Sequence, residues 1–204
     1  DVIPETGQLV VAWYTHTPEP LPRTRNKLQW FTGVGPISQG VANVSLVRSR
    51  GRFDAPNNVL ESAGSISVQF LDCRNAIVSS NLNVAGTLLP ASIRLQRLSS
   101  DSVCEAWRTE GDAALATLPA PGAVDQYQYG ITGTWYNPAT DGQGMLVEYL
   151  PQSSQVLLGW YTYDYTDSAE GAQPPLWLTA LGPATGNRAT LAVTLTRGGG
   201  FLTP

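Results

Sequence analysis

Residues 8–15 read QLVVAWYT and residues 155–162 read QVLLGWYT, and these two stretches decide the expected fold. They lie 147 positions apart, and in the same register Trp30 coincides with Trp177 without a gap. Two pairs of tryptophans that match in one register are improbable by chance, so the sequence predicts an internal repeat. Beyond these tryptophans, the same register matches Thr32 with Thr179, Gly35 with Gly182, and Pro36 with Pro183.

Alternation within these stretches predicts a β-strand with two apolar faces. Successive side chains of a strand point to opposite sides, so one face carries Leu9, Val11, Trp13 and Thr15, and the other Val10, Ala12, Tyr14 and His16. A strand that is apolar on both sides is usually covered on both sides. We therefore expect a barrel core against one face and another sheet or a partner against the other. The small residues Ala12 and Gly159, beside Tyr14 and Tyr161, are expected to leave a shallow notch.

Short runs rich in Val, Ile, Leu and Thr recur along most of the chain and are separated by Gly, Pro and Asn, a pattern typical of strands. The predicted strands are 9–15, 29–34, 42–48, 65–71, 76–81 and 92–98, then 133–136, 144–150, 156–163, 176–181 and 190–196. Only residues 112–118 are expected to form two helical turns. The predicted fold class is all-β, an antiparallel up-and-down barrel or sandwich present as two partial copies.

The register of the repeat predicts the domain organisation. Residues 1–106 form a first β repeat that lacks its opening strands, and residues 130–204 form a second that lacks its closing strands. Residues 107–129, rich in Ala, Pro and Gly, are the expected linker. Either the sequence is a window on a longer array, which we favour, or neighbouring copies complete each other by strand pairing.

The composition and the net charge disfavour several classes of binding partner. Charged residues make up 14% of the 204 residues, and the net charge of −4 provides no general attraction for nucleic acid or anionic membranes. No apolar run reaches the roughly 18 residues of a membrane-spanning helix. The sequence begins at Asp1 with no apolar leader, so we expect that a signal segment has been removed or lies outside it.

Cys73 and Cys104 are the only cysteines, and His16 is the only histidine. A zinc site with four Cys or His ligands cannot be built from this set within one chain. A Cys73–Cys104 disulfide is the favoured interpretation, with two inert buried thiols as the alternative, and it indicates a secreted or cell-surface protein.

The sequence resembles two known families, one over most of the chain outside the linker and the other over residues 130–137 only. The runs 133–138 (GTWYNP), 142–144 (GQG) and 160–164 (WYTYD), with 64–73 (GSISVQFLDC), resemble an uncharacterised tandem-repeat β domain of secreted bacterial proteins. That resemblance implies secretion and repetition and carries over no catalytic residues. Residues 130–137 (GITGTWYN) are similar to the opening strand of avidin-class biotin binders, which implies a ligand hydrogen bond at Asn137. Pro138 departs from that family, where a loop continues.

The sequence contains little that is typical of catalytic or metal sites. It has no nucleophile elbow, zinc-protease motif, phosphate-binding loop or dinucleotide fingerprint. Asp141, Glu148 and Asp164 are candidate paired carboxylates for glycoside hydrolysis, but two of them lie at turn positions. Asp164, Asp167 and Glu170 are candidate calcium ligands, although a solvated acidic loop is favoured. We therefore expect no catalytic residues, no metal and no cofactor.

Aromatic residues carry the main functional hypothesis. Trp13, Trp30, Trp160 and Trp177 are expected in equivalent core positions. The predicted ligand or partner contacts are Tyr14, Tyr136, Asn137, Tyr161 and Tyr163, because flat rings with a polar edge suit both sugars and protein interfaces. The favoured function is a non-catalytic structural or adhesive repeat that assembles with copies of itself or with adjacent repeats into fibres or arrays. A carbohydrate- or small-ligand-binding module, with a glycan as partner, and a hydrolase accessory domain are the alternatives.

Overall fold

The computed structural model describes residues 1–3, 6–16, 28–54, 58–84, 86–97, 104–105, 131–140, 142–166, 172–186 and 188–196. These residues form two antiparallel sheets, so the all-β prediction is confirmed. The first sheet is a meander in the order β1 to β7, namely Val2–Ile3, Gln8–His16, Leu28–Ser38, Val41–Arg50, Val59–Phe70, Asn75–Val84 and Thr87–Gln96. The second has the order β12-β11-β10-β9-β8, with β13 also paired to β11. Its strands, β8 to β13, are Gly133–Trp135, Gly144–Leu150, Gln155–Tyr163, Pro175–Thr185, Arg188–Ala189 and Val193–Leu195.

The main core lies on one face of the first sheet, which forms a half-barrel. In β4, Ala42, Val44 and Leu46 are almost fully buried, whereas the intervening Asn43 and Ser45 are exposed. This alternation places every second residue of the strand in the core. The same core takes residues from β2, β3, β5 and β6, namely Leu9, Phe31, Ala63, Ile66, Val68, Val78 and Leu82.

A bulge in the first sheet depends on one glycine. The β4–β5 register shifts between Leu46 and Val47, beside Gly64 with φ of 108°. A Cβ atom at Gly64 would lie 2.2 Å from the carbonyl oxygen of Asn81 in β6. Only glycine accepts both this backbone conformation and this close approach.

The hairpins β2–β3 and β10–β11 agree in strand length and in register. Gln8 pairs with Pro36 at one end of the first hairpin, and Gln155 pairs with Pro183 in the second. The outer neighbours also correspond, because Ile3 of β1 pairs with Gln8 as Leu150 of β9 pairs with Gln155. Strands β5 to β7 have no counterpart among the described residues of the second sheet. Duplication of the whole 147-residue unit therefore stays a prediction.

Several strand boundaries differ from the sequence-based expectation. Strand β7 begins at Thr87, before the expected start at residue 92, and it contains Pro90. Proline is tolerated there because β7 is the edge strand of its sheet within the described residues. Of the expected strand 190–196, only Val193–Leu195 is a strand, β13, and β12 lies before it at Arg188–Ala189. The strands fall within the predicted repeats 1–106 and 130–204, while the linker 107–129 and the helical turns 112–118 lie outside the described residues.

The two cysteines come together as the sequence predicts. Cys73 and Cys104 lie at disulfide distance, with their Cα atoms 5.8 Å apart and a sequence separation of 31. In the ranges given above, no helix has the length and the apolar character needed to cross a membrane.

Candidate functional site

Each of the two matching hairpins presents a tyrosine–tryptophan pair on its outer face. Tyr14 lies directly opposite Trp30, and Tyr161 lies directly opposite Trp177. Side chains that are opposite each other on neighbouring strands project to the same side of the sheet. The outer faces of the two hairpins pack together at these rings. We call this contact the aromatic junction, formed by Tyr14, His16, Trp30, Tyr161, Tyr163 and Trp177.

The rings of the aromatic junction are arranged in matched pairs. Tyr14 and Tyr161, which are 147 positions apart, face each other with ring centroids 6.2 Å apart. When each residue is exchanged for the one 147 positions away, every other ring contact of the junction corresponds to a second observed contact. The Tyr14–Trp177 ring centroids are 6.0 Å apart, and those of the corresponding pair Trp30–Tyr161 are 5.2 Å apart. The His16–Trp177 centroids are 6.0 Å apart, and those of the corresponding pair Trp30–Tyr163 are 5.8 Å apart. The junction therefore has an approximate two-fold axis between Tyr14 and Tyr161.

Two hydrogen bonds follow the same approximate symmetry. The Trp30 Nε1–H donates to the carbonyl oxygen of Thr162 at 3.3 Å, and the Trp177 Nε1–H donates to the carbonyl oxygen of Thr15 at 3.2 Å. Trp30 is only 2% exposed. A buried indole N–H without an acceptor is costly, so these bonds set the position of each hairpin on the other. Such a reciprocal arrangement is that of an isologous interface, here formed within one chain.

The symmetry is broken at the notch predicted beside the tyrosines. The Tyr14 ring fills the space over Gly159, where a Cβ atom would lie 3.2 Å from the ring, and its hydroxyl donates to the Gly159 carbonyl oxygen at 3.3 Å. The Tyr161 hydroxyl instead packs against Gly144 of its own sheet. A Cβ atom at Gly144 would lie 2.3 Å from that hydroxyl oxygen. The shallow notch at Gly159 is thus occupied by the other hairpin.

Burial affects the chemistry of both tyrosines. Desolvation raises the pKa of Tyr14 well above its usual value, and the neighbouring Tyr161 raises it further. Desolvation also raises the pKa of Tyr161. Both phenols are therefore neutral at physiological pH, and neither is activated as a base or a nucleophile.

A second set of polar contacts joins the sheets beside the aromatic junction. Gln143 Nε2 donates to the Phe53 carbonyl oxygen at 3.1 Å, and the Phe53 amide donates to Gln173 Oε1 at 2.8 Å. The Gln173 amide donates to the Gly51 carbonyl oxygen at 2.8 Å, and the Tyr163 hydroxyl donates to Ser49 Oγ. We call Gln143 and Gln173 the glutamine clasp, because they hold residues 51–53 of the first sheet's β4–β5 connection.

The glutamine clasp was not predicted from the sequence. Gln143 was noted only as part of the GQG motif, and Gln173 was not singled out. Both side chains are buried, at 8% and 6% exposure. Two glutamines beside Gly and Pro residues carry no sequence signal for burial, because the backbone groups that they bond at Phe53 lie about 90 or more positions away in the chain.

The predicted contact residues divide into two groups. Tyr14, Tyr161 and Tyr163 come together in the aromatic junction. Tyr136 lies elsewhere and is 66% exposed. Asn137 starts a 3₁₀ turn at Pro138–Thr140, where its Oδ1 accepts a hydrogen bond from the Ala139 amide at 3.0 Å. The Asn137 side chain, to which the avidin-class resemblance assigns a ligand hydrogen bond, thus caps a turn in this chain.

The four matching tryptophans occupy two kinds of position. Trp13 packs edge-on against Phe31 beside the main core, with ring centroids 6.3 Å apart, and Trp160 lies 6.5 Å from Phe53. Trp30 is buried, as expected of a core position, but it packs with Tyr161 and Tyr163 in the aromatic junction and not in the main core, and the half-buried Trp177 takes the matched place there. The reason is strand alternation, which puts Trp30 on the face opposite to Phe31.

The described residues contain no group of three or more His, Cys, Asp or Glu side chains that could hold a metal ion. Asp164 Oδ1 accepts hydrogen bonds from the amide and the hydroxyl of Thr166, as expected for a turn. Asp141, Asp167 and Glu170 lie outside the described residues. Of the predicted calcium ligands and paired carboxylates, the structure therefore describes only Glu148 and Asp164. His16 contacts Trp177 at the edge of the aromatic junction.

Comparison with protein-family models, with curated proteins and with solved structures found no match.

Proposed function

We propose that this chain is a secreted, non-catalytic structural or adhesive module, whose repeats pack through the aromatic junction and which assembles further through its strand edges. The observation that carries the proposal is the reciprocal pair of bonds, Trp30 to Thr162 and Trp177 to Thr15, around the facing Tyr14 and Tyr161 rings. A repeat that self-assembles requires a surface that binds a second copy of the same surface.

The burial of the junction rings supports self-recognition over sugar binding at this place. Trp30, Tyr161 and Tyr163 are 2%, 6% and 0% exposed. A sugar stacks on an open ring face, and these faces are covered by the opposite hairpin. The predicted contact residues Tyr14, Tyr161 and Tyr163 are therefore assigned to contact between repeats.

The first sheet also offers a surface for assembly. Its edge strand β7 carries Leu88 and Leu95, which are 60% and 46% exposed. An edge strand with exposed apolar side chains is a template for pairing with another chain. Secretion is supported by the Cys73–Cys104 pair, since disulfides persist in oxidising compartments.

Sedimentation velocity and electron microscopy of the purified chain over a wide concentration range test this proposal. We expect oligomers or fibres that grow with concentration and persist when a mixture of glycans is added. The Tyr136→Ala variant is the matched control, because it removes an exposed ring outside the aromatic junction and should leave assembly unchanged. A chain that stays monomeric at every concentration would contradict the proposal.

Exposed aromatic side chains near β8 favour a second candidate function, carbohydrate binding. Trp135 and Tyr136 are 52% and 66% exposed, and an open ring suits the apolar face of a sugar. Glycan titration monitored by tryptophan fluorescence tests this alternative. A saturable change that is lost in Tyr136→Ala but kept in Tyr161→Phe would support binding at this place, and no change with any glycan would exclude it.

A further inference from the structure

The outer edge of the second sheet has no strand paired to it within the described residues. In the first sheet, β4 lies between β3 and β5. In the second sheet, β12 and β13 take the position of β4, because both pair with β11. The edge formed by β12, β13 and the residues between them, 188–195, is called the acceptor edge below.

The acceptor edge matches β4 in its pairing at both ends. Thr185 pairs with Arg188 as Ser38 pairs with Val41, and Ala180 pairs with Val193 as Gly33 pairs with Leu46. The correspondence therefore holds at both ends of the strand. It assigns Ala189, Leu191 and Val193 to the positions of Ala42, Val44 and Leu46.

Burial differs sharply between these matched positions. Leu46 is 1% exposed in the first sheet, where β5 and the strands beyond it close the core. Its counterpart Val193 is 50% exposed, and Ala189 is exposed as well. Apolar side chains at core positions are thus open to solvent along a strand edge with which no other described strand pairs, and this is the setting for strand addition.

We propose that the acceptor edge binds a strand of the β5 type, donated by another copy of this repeat, in the register of the β4–β5 pairing. This inference rests on the proposed function and names the strand that would be exchanged. In that register the residue equivalent to Ile66 lies opposite Leu191, and the residue equivalent to Val68 lies opposite Ala189. Backbone hydrogen bonds supply the affinity, and the alternating apolar side chains supply the register.

Charge distinguishes the donated strand from β5 itself. Glu61 of β5 forms an ion pair with Arg48 of β4, which it faces in the pairing. The residue 147 positions after Arg48 is Leu195, so a carboxylate at the Glu61 position would face an apolar side chain. The acceptor edge should therefore prefer a β5-type strand with an apolar residue in place of Glu61.

A peptide with the sequence of residues 59–70, labelled with fluorescein, tests the proposal when it is titrated onto the whole chain and followed by fluorescence anisotropy. We expect saturable binding, and binding several-fold tighter for a Glu61→Leu peptide. The matched control peptide carries Val68→Pro. Phe70 donates its amide to Gly40, so the amide of Val68, two residues away, also faces the neighbouring strand. Proline removes that donor, and we expect at least about tenfold weaker binding.

Disulfide trapping tests the register independently of affinity. The Leu191→Cys chain should cross-link with an Ile66→Cys peptide, because residues directly opposite in an antiparallel pair lie within disulfide reach. A Ser67→Cys peptide points its thiol to the other face and should cross-link several-fold less. Absence of binding by both parent peptides, equal binding of the Val68→Pro peptide, or equal cross-linking of the two cysteine peptides would each overturn the inference.

The outcomes separate this inference from the proposed function. If the chain forms oligomers but binds no peptide, assembly uses another surface and the acceptor edge is refuted. If the chain binds the peptide in the expected register yet stays monomeric at every concentration, the acceptor edge stands and the proposed self-assembly is refuted.

Discussion

Replacing Trp30 by Phe tests the central claim that the aromatic junction holds the two sheets together. The substitution removes the Nε1–H donor and with it the hydrogen bond to the carbonyl oxygen of Thr162, which is 2% exposed. Loss of one such hydrogen bond costs about 0.5–1.5 kcal/mol. The smaller ring also leaves a partial cavity against Tyr161 and Tyr163, which costs about 1–2 kcal/mol more. We expect the free energy of unfolding to fall by ~1.5–3.5 kcal/mol in total.

Urea denaturation followed by far-UV circular dichroism measures this loss. Trp135→Phe is the matched control, because Trp135 is 52% exposed and its replacement should change stability by less than ~0.5 kcal/mol. Trp177→Phe removes the symmetry-related bond from a half-buried ring and should cost about 1–2 kcal/mol. If Trp30→Phe costs no more than Trp135→Phe, the junction does not contribute to stability and the argument built on it is refuted.

Three further perturbations test other parts of the structure. Because the pKa of Tyr14 is raised on folding, the unfolded chain ionises first, so stability should fall as pH rises above about 10; Tyr14→Phe should weaken that fall in denaturation curves measured across alkaline pH. Gly144→Ala should lower stability by ~2–3 kcal/mol, with partial recovery in the double variant with Tyr161→Phe, and equal losses in both would contradict the close contact with the Tyr161 hydroxyl. Reducing the Cys73–Cys104 pair should lower the urea midpoint by the equivalent of roughly 3–4 kcal/mol, whereas an unchanged midpoint under reductant would argue that the bond contributes no stability.

Local patterns in the sequence were sufficient for the strands and for some of their contacts. The alternation of Trp13 and Tyr14 on opposite faces is a property of an extended backbone, so the division into a core face and an outer face could be predicted without coordinates. The pairing of Cys73 with Cys104 needed only a count of cysteines. The prediction that Tyr14, Tyr161 and Tyr163 share one kind of environment also followed from this alternation.

Tertiary structure decided what covers each face. The sequence shows that Trp30 is apolar and predicts that it lies on a strand. It does not show whether the face of the sheet that carries Trp30 meets a barrel interior or a second sheet. The answer depends on how the first sheet curves and where the second sheet docks, and both are set by contacts between residues more than a hundred positions apart. The glutamine clasp and the filled notch at Gly159 have the same origin, since each exists only because the two sheets, whose residues lie far apart in the chain, fit against one another.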